Sequence, residues 1–170
     1  DSVAIAFDDA TVPFYGPVRG LAITAVLEEL AAAGVPRRNV TLICANALHR
    51  MFRPEELARL IGEDLVREFG PRLICHDAED PASLVDLGAT SPPGYLVAVH
   101  RLAVESDLLV YVNARYLRGF SGGWKSVVVG LSTYKSIKLH HTPDGMSMSL
   151  HANRMHAMLD EMGAHLEART

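Results

Sequence analysis

Charge of one sign is scarce in this sequence, and that scarcity excludes the obvious polyelectrolyte partners. Sixteen Lys and Arg stand against 20 Asp and Glu, a formal net charge of −4 over 170 residues. There is no basic excess to meet nucleic acid and no block of like charge to form a tail. Long hydrophobic runs are missing too: every apolar stretch falls well short of the ~20 residues of a membrane helix. No charged-then-apolar leader precedes the first strand-like run, and residue 1 is Asp; the chain reads as a piece of a longer protein, cytoplasmic by default. Cysteine is sparse. Cys44 and Cys75 lack the C-x-x-C spacing of a metal site and each ends an apolar run, so they read as buried free thiols. Internal repeats and low-complexity linkers are absent as well.

What is present is hydrophobic residue in the proportion of a folded chain, 49% against 21% charged. At this length a single core can form. Residues 3–7, 40–45, 72–75 and 108–112 are short apolar runs of the kind buried in parallel sheets. Between them, Ile23, Val26, Leu27 and Leu30 recur at helical spacing, as do Leu57, Leu60, Ile61 and Leu65 after Pro54. Gly34 and Pro36 stop the first of these helices. Residues 83–87 and 95–100 flank a Ser-Pro-Pro-Gly turn and predict a hairpin attached to the main sheet. A helix through Gly130, a helical stretch over 135–140, a loop over 142–149 and a last helix over about 150–168 follow, with Met155, Met158, Leu159, Met162 and Leu166 on one stripe. The expected fold is α/β: three layers around a mainly parallel, Rossmann-like sheet with an added β-hairpin.

Ligands of such sheets bind beyond the carboxyl ends of the strands. Three polar clusters fall there: Asp8, Asp9 and Thr11; Asn46 with His49; and residues 113–125. Taken alone, the first could cap a turn and His49 could be an ordinary loop histidine. Residues 119–126 read G-F-S-G-G-W-K-S. Small residues after a strand let backbone N–H groups approach a phosphate, or simply make a structural turn. The spacing is neither that of a P-loop nor G-x-G-x-x-G. His140 and His141 are adjacent, so at most one faces a given site; neutral imidazole suits nickel, zinc or copper. His76 with Asp77 reads as an edge or interface pair, and His151, His156 and His165 as solvent-facing.

These segments, in this order, resemble the N-terminal domain of the nickel-dependent lactate racemase family. Asp9-Ala10-Thr11-Val12-Pro13 is similar to its D-x-T-R-P turn, Asn46-Ala47-Leu48-His49-Arg50 to T-G-x-H-R, residues 84–88 to L-x-D-L-G, and residues 119–125 to G-F-S-G-G-x-K. The resemblance implies a pyridinium mononucleotide whose sulfur groups pincer a nickel ion. It implies that Lys125 bonds this cofactor through a thioamide and that His141 is the nickel ligand. Asp9 and Thr11 would border the cofactor, with Ser121, Gly122 and Gly123 near its nucleotide end. His49 would be one of two acid/base histidines. The implied chemistry is removal of a hydride from C2 of a 2-hydroxy acid and its return to either face.

Two positions depart from the family pattern. Val12 stands where the family has a substrate-binding arginine, and Arg115 where it has the second catalytic histidine. Arginine is no base at ordinary pH but binds carboxylates well. The expectation is a racemase or epimerase of a 2-hydroxy acid or sugar acid other than lactate, with His49 and Arg115 as catalytic positions. The family's C-terminal domain would complete it, the last helix leading toward that domain. A nucleotide- or phosphate-binding module and a non-catalytic cofactor-binding homologue are the alternatives.

Overall fold

The structure, a computed structural model, describes residues 1–12, 16–92, 94–114, 122–145 and 154–170. Arg115, Ser121 and His151 lie outside the described residues.

The apolar runs form the expected strands: β1 Val3–Asp8, β2 Val40–Ala45, β3 Leu73–Cys75 and, later in the chain, β4 Leu84–Ala89, β5 Leu96–His100 and β6 Leu108–Val112. β1, β2, β3 and β6 make one parallel sheet in the order β3-β2-β1-β6. Side chains alternate across it, as period-2 geometry requires. Val3, Ile5 and Phe7 face one side with Leu42 and Cys44; Ala6, Ile43 and Ala45 face the other.

The first face is covered by α1 Val18–Ala32, α2 Pro54–Ile61 and α3 Glu63–Phe69, through Ile23, Leu27, Ile61, Leu65 and Phe69. The expected single helix after Pro54 is therefore two. Gly62 (φ 100°) interrupts it, and Leu65 still points inward from the second piece. The second face is covered by α5 Trp124–Gly130 and α7 Arg154–Glu167, the latter through its stripe of Met155, Leu159, Met162 and Leu166. Two short helices, α4 Leu102–Glu105 and α6 Tyr134–Ile137, and two 3-10 turns, Arg37–Asn39 and Gly70–Arg72, complete the described elements. Among the described residues no helix is long and apolar enough to cross a membrane.

β4 and β5 form the expected antiparallel hairpin, but as a separate two-stranded sheet. Val97 and Val99 are buried against α5 and α7 in the second layer, so packing holds the hairpin where ladder bonds to the main sheet do not. Its ties run to the corner after α5: His100 N–H donates to Leu131 O (2.7 Å) and Ser132 Oγ to Ala98 O (2.9 Å). His165 of α7 is drawn in as well, its Nε2–H donating to Leu87 O (2.9 Å), where the sequence suggested a solvent-facing side chain.

This topology decides where a ligand can sit. From β1 the chain crosses to β2 on one side, while β6 lies on the other. The crevice between the carboxyl ends of β1 and β6 is the topological switch point at which open α/β sheets bind ligands.

Candidate active site at the carboxyl edge of the sheet

β1 delivers two consecutive carboxylates to that edge, and their surroundings separate them. Asp9 is buried (2% exposed). Its Oδ1 accepts hydrogen bonds from Thr11 N (2.9 Å) and Thr11 Oγ1 (2.6 Å), closing the turn that follows the strand. Its Oδ2 lies 2.6 Å from His49 Nδ1. An ionised carboxylate only accepts, so Nδ1 carries the proton and Nε2 keeps its lone pair. The His49 side chain is 50% exposed. The result is an imidazole oriented and electrostatically backed by a buried acid, with its basic nitrogen free for a proton of a bound molecule.

The loop presenting His49 is fixed from three directions. Asn46 Nδ2 donates to His49 O (2.8 Å), and His49 N–H donates to Asn46 O (2.7 Å). Ala47 N–H donates to Gly130 O at the end of α5 (3.0 Å). Ala47 itself is held at φ 48°, in the left-handed region that costs a non-glycine residue about 1–2 kcal/mol. The family segment that residues 46–50 resemble has glycine at this place. Arg19, buried in α1, secures the other side of the crevice by donating from Nη2 to Asp9 O (2.9 Å) and Val12 O (2.8 Å).

Asp8 points to the opposite face of the sheet from Phe7. It is 7% exposed, accepts a hydrogen bond from Ala114 N (3.0 Å) and lies near the Tyr111 hydroxyl, which helps hold its charge. Burial pushes its carboxyl up to about 6, with the bond from Ala114 and the nearby Tyr111 hydroxyl offsetting part of that cost. Two adjacent acids thus stand in different electrostatic settings. The sequence marked Asp8 only as part of a polar cluster; its link across to β6 depends on strand order.

Across the crevice, Asn113 Nδ2 and Gly122 N–H both donate to Ser126 Oγ, at 2.5 and 2.7 Å. Ser126, which no sequence motif singled out as a site residue, thereby clamps the end of β6 to the glycine loop. Gly122 (φ 114°) and Gly123 (φ 56°) adopt backbone conformations that side-chain-bearing residues avoid, which is why glycine is needed there. With Gly122 N–H engaged by Ser126, that amide is not offered to an anion. Lys125, in the first turn of α5, pairs through Nζ with Asp160 Oδ1 of α7 (2.8 Å). No periodicity links these two residues; only the packing of α5 on α7 shows them as partners.

The two adjacent histidines are cleanly divided. His140 is fully buried, and burial lowers its imidazole to about 4, keeping it neutral. His141 is exposed, with Nδ1 3.1 Å from Ile137 O and 3.1 Å from His140 Nδ1. A carbonyl can only accept, so His141 Nδ1 carries the proton and its Nε2 is the free donor atom. Carbonyl orientation of this kind is characteristic of metal-binding imidazole. Among the described residues no three His, Cys, Asp or Glu side chains converge on a metal position.

A cavity of about 470 Å³ opens beside His49, bounded by Arg50, Met51, His76, Asp77 and Tyr134. Arg50 on its wall is held in a two-pronged pair with Glu56 (2.9 and 2.6 Å). His76, suggested by sequence as an edge or interface residue, is instead fully buried. Its Nε2–H donates to Ser132 O (2.8 Å), and its ring meets His100 edge-on at 5.6 Å.

The structure therefore joins Asp9, Thr11 and His49 in one hydrogen-bonded unit. It places Gly122 and Gly123 at the opposite lip, Lys125 against α7, and His141 beyond α6. Comparison with known proteins places the chain in a family. A family model described as the lactate racemase N-terminal domain matches residues 1–153. The chain is 32% identical over 129 residues to the lactate racemase of Lactiplantibacillus plantarum, covering 74% of this chain and 30% of that protein. It is 33% identical over 106 residues to the lactate racemase of Thermoanaerobacterium thermosaccharolyticum, covering 61% and 24%. In three dimensions it resembles the apoprotein of the latter organism's lactate racemase, with a TM-score of 0.74 and 25% identity, over 98% of this chain and 40% of that one. The fold is shared with a Thermotoga maritima protein at a TM-score of 0.72 and 16% identity, over 99% and 44%. The chain thus spans less than a third of the length of the curated relatives it matches. Over the part it does span, from the first strand through the glycine loop and His141, it belongs to the lactate racemase N-terminal domain family.

Proposed function

We propose that this chain supplies one side of the active site of a nickel-pincer-dependent 2-hydroxy acid racemase or epimerase, with His49 as its proton-transfer group. The observation that carries this reading is the Asp9–His49 pair at the switch-point crevice. The bound cofactor supplies the hydride chemistry at C2 of the substrate. That chemistry obliges the protein to take up the hydroxyl proton in the same step. His49 Nε2 accepts it, and the Asp9 carboxylate stabilises the imidazolium that forms, as a general base with a positioned acid behind it does.

The residues of the chain fit such a group. His141 offers Nε2 for nickel while Nδ1–H donates to Ile137 O. Lys125 carries a primary amine at the rim of the glycine loop, one quarter exposed and paired with Asp160, available for covalent attachment. Thr11 and Asp9 border the same crevice. Val12 brings no charge to meet a substrate carboxylate, and that task passes to Arg115, whose guanidinium can bind a carboxylate in two-pronged fashion. The substrate is accordingly a hydroxy acid or sugar acid other than lactate.

The test is intact-mass measurement of the full-length protein produced together with the enzymes that make the cofactor. Wild type is expected to carry a covalent adduct and bound nickel, and Lys125→Ala to carry neither adduct nor change in fold. A wild-type protein without an adduct refutes the proposal and returns the glycine loop to a nucleotide- or phosphate-binding role. An adduct without turnover of any hydroxy acid leaves a non-catalytic carrier of the cofactor.

A further inference from the structure

Outside the site the two cysteines form a nucleophilic pair, and nothing in their spacing along the chain hints that they meet. Cys44 and Cys75 are register partners on the parallel strands β2 and β3. Partners in a ladder project from the same face, here the face covered by α1, α2 and α3. Adjacent strands run ~4.8 Å apart, inside the ~4.4–6.8 Å separation of Cα atoms that a disulfide spans. Both thiols are free, and each shifts the titration of the other, as neighbouring sulfurs do. We infer that Cys44 and Cys75 form a reversible dithiol–disulfide couple, a site of oxidative modification beneath the loop that carries His49. This inference stands independently of the function proposed above.

The two sulfurs differ in the way such a couple requires. Cys75 is partly exposed, on a three-residue strand at the edge of the sheet, and its Sγ also accepts a hydrogen bond from Phe52 N (3.4 Å). The neighbouring Cys44 thiol, joined by the bond from Phe52 N, lowers the Cys75 thiol to about 7, which favours its thiolate. Cys44 is fully buried, and the neighbouring Cys75 sulfur together with burial pushes its thiol up. Cys75 is therefore the nucleophile and Cys44 the resolving thiol.

With a hydroperoxide as oxidant, the Cys75 thiolate attacks the outer peroxide oxygen. The O–O bond breaks, Cys75 becomes a sulfenic acid, and the departing alkoxide or hydroxide takes up a proton. Cys44 sulfur then attacks the Cys75 sulfur. The S–O bond breaks, and the leaving hydroxide departs as water with the Cys44 proton. The pair loses two electrons in total and the peroxide gains them; a small dithiol reverses the change. A metal role for the pair has no support, since among the described residues no third ligand joins them.

The experiment uses the reduced full-length protein, treated with hydrogen peroxide, quenched by alkylation and mapped by peptide mass spectrometry. The expected product is the peptide bearing Cys44 linked to the one bearing Cys75, lost again on incubation with dithiothreitol. Before oxidation, Cys75 is expected to be alkylated at neutral pH ~10-fold faster than Cys44. Cys44→Ser is expected to trap Cys75 as a sulfenic acid that dimedone captures. The inference is overturned if peroxide leaves both thiols alkylatable, or if it carries wild-type Cys75 to sulfinic acid with no linked peptide. The linkage is read on wild-type protein, so it decides the matter even where Cys44→Ser fails to fold.

Discussion

Replacing Asp8 by Asn makes a stability prediction whose sign is set by the site. The Asp8 carboxyl stands at about 6 in the folded chain against 3.8 for the free side chain, with burial as the main cause. The folded state therefore holds the proton more tightly than the unfolded state. Stability from this group is fully present below about pH 4 and is lost as the pH rises through about 6. Each unit of difference corresponds to ~1.4 kcal/mol, so the shift of about two units amounts to ~3 kcal/mol forgone at neutral pH. Asp8 is nearly buried, so solvent screening removes little of this. Asparagine keeps an oxygen to accept from Ala114 N and never ionises. Any fixed cost of misplacing its amide group is the same at every pH. The quantity to follow is thus the stability difference between Asp8→Asn and wild type across pH 4 to 8. Urea unfolding monitored through Trp124, the single tryptophan of the chain, supplies it. The difference is expected to move in favour of the variant by ~1–3 kcal/mol between pH 4 and pH 8. A difference that stays flat, or that moves toward wild type, refutes the assignment of a strained, buried carboxylate at the end of β1.

Three further outcomes follow from the same geometry. Asp9→Asn removes the acceptor that fixes the His49 tautomer, and turnover of the full-length enzyme is expected to fall ~10²–10⁴-fold with KM little changed; a loss confined to KM would show that Asp9 binds substrate instead. His141→Ala is expected to lower bound nickel, measured by elemental analysis of the cofactor-loaded protein, far more than His140→Ala, because His141 is exposed and His140 fully buried; equal losses would mean the buried ring is the ligand. The double change Val12→Arg with Arg115→His is expected to raise interconversion of D- and L-lactate at least ~10²-fold over wild type, the low end of what one positioned base contributes, and fast lactate racemisation by wild type would show that another residue provides the cation and the second base.

Much of the architecture was fixed by local pattern. β2 and β6 begin and end where the apolar runs do, and the methionine stripe of α7 is buried as its spacing requires, because burial of an apolar face is decided by periodicity alone. The site residues were legible as motif positions: a turn after β1, a histidine after β2, a glycine loop before α5. Their partnerships were not. Asp9 lies 40 positions from His49, and Asp8 lies 106 from Ala114. These contacts exist only because the order β3-β2-β1-β6 brings the carboxyl ends of β1, β2 and β6 side by side. The same holds for Lys125 with Asp160, for His165 with the hairpin, and for Cys44 with Cys75. No local propensity encodes which strand lies beside which, since that is settled by how the helices cover the two faces of the sheet. The sequence by itself determined the elements and the chemical groups available. The tertiary structure decided which acid backs the imidazole, which of the two adjacent histidines is buried and which exposed, and which thiols can meet, because hydrogen bonds and burial act over a few ångströms in space whatever the separation along the chain.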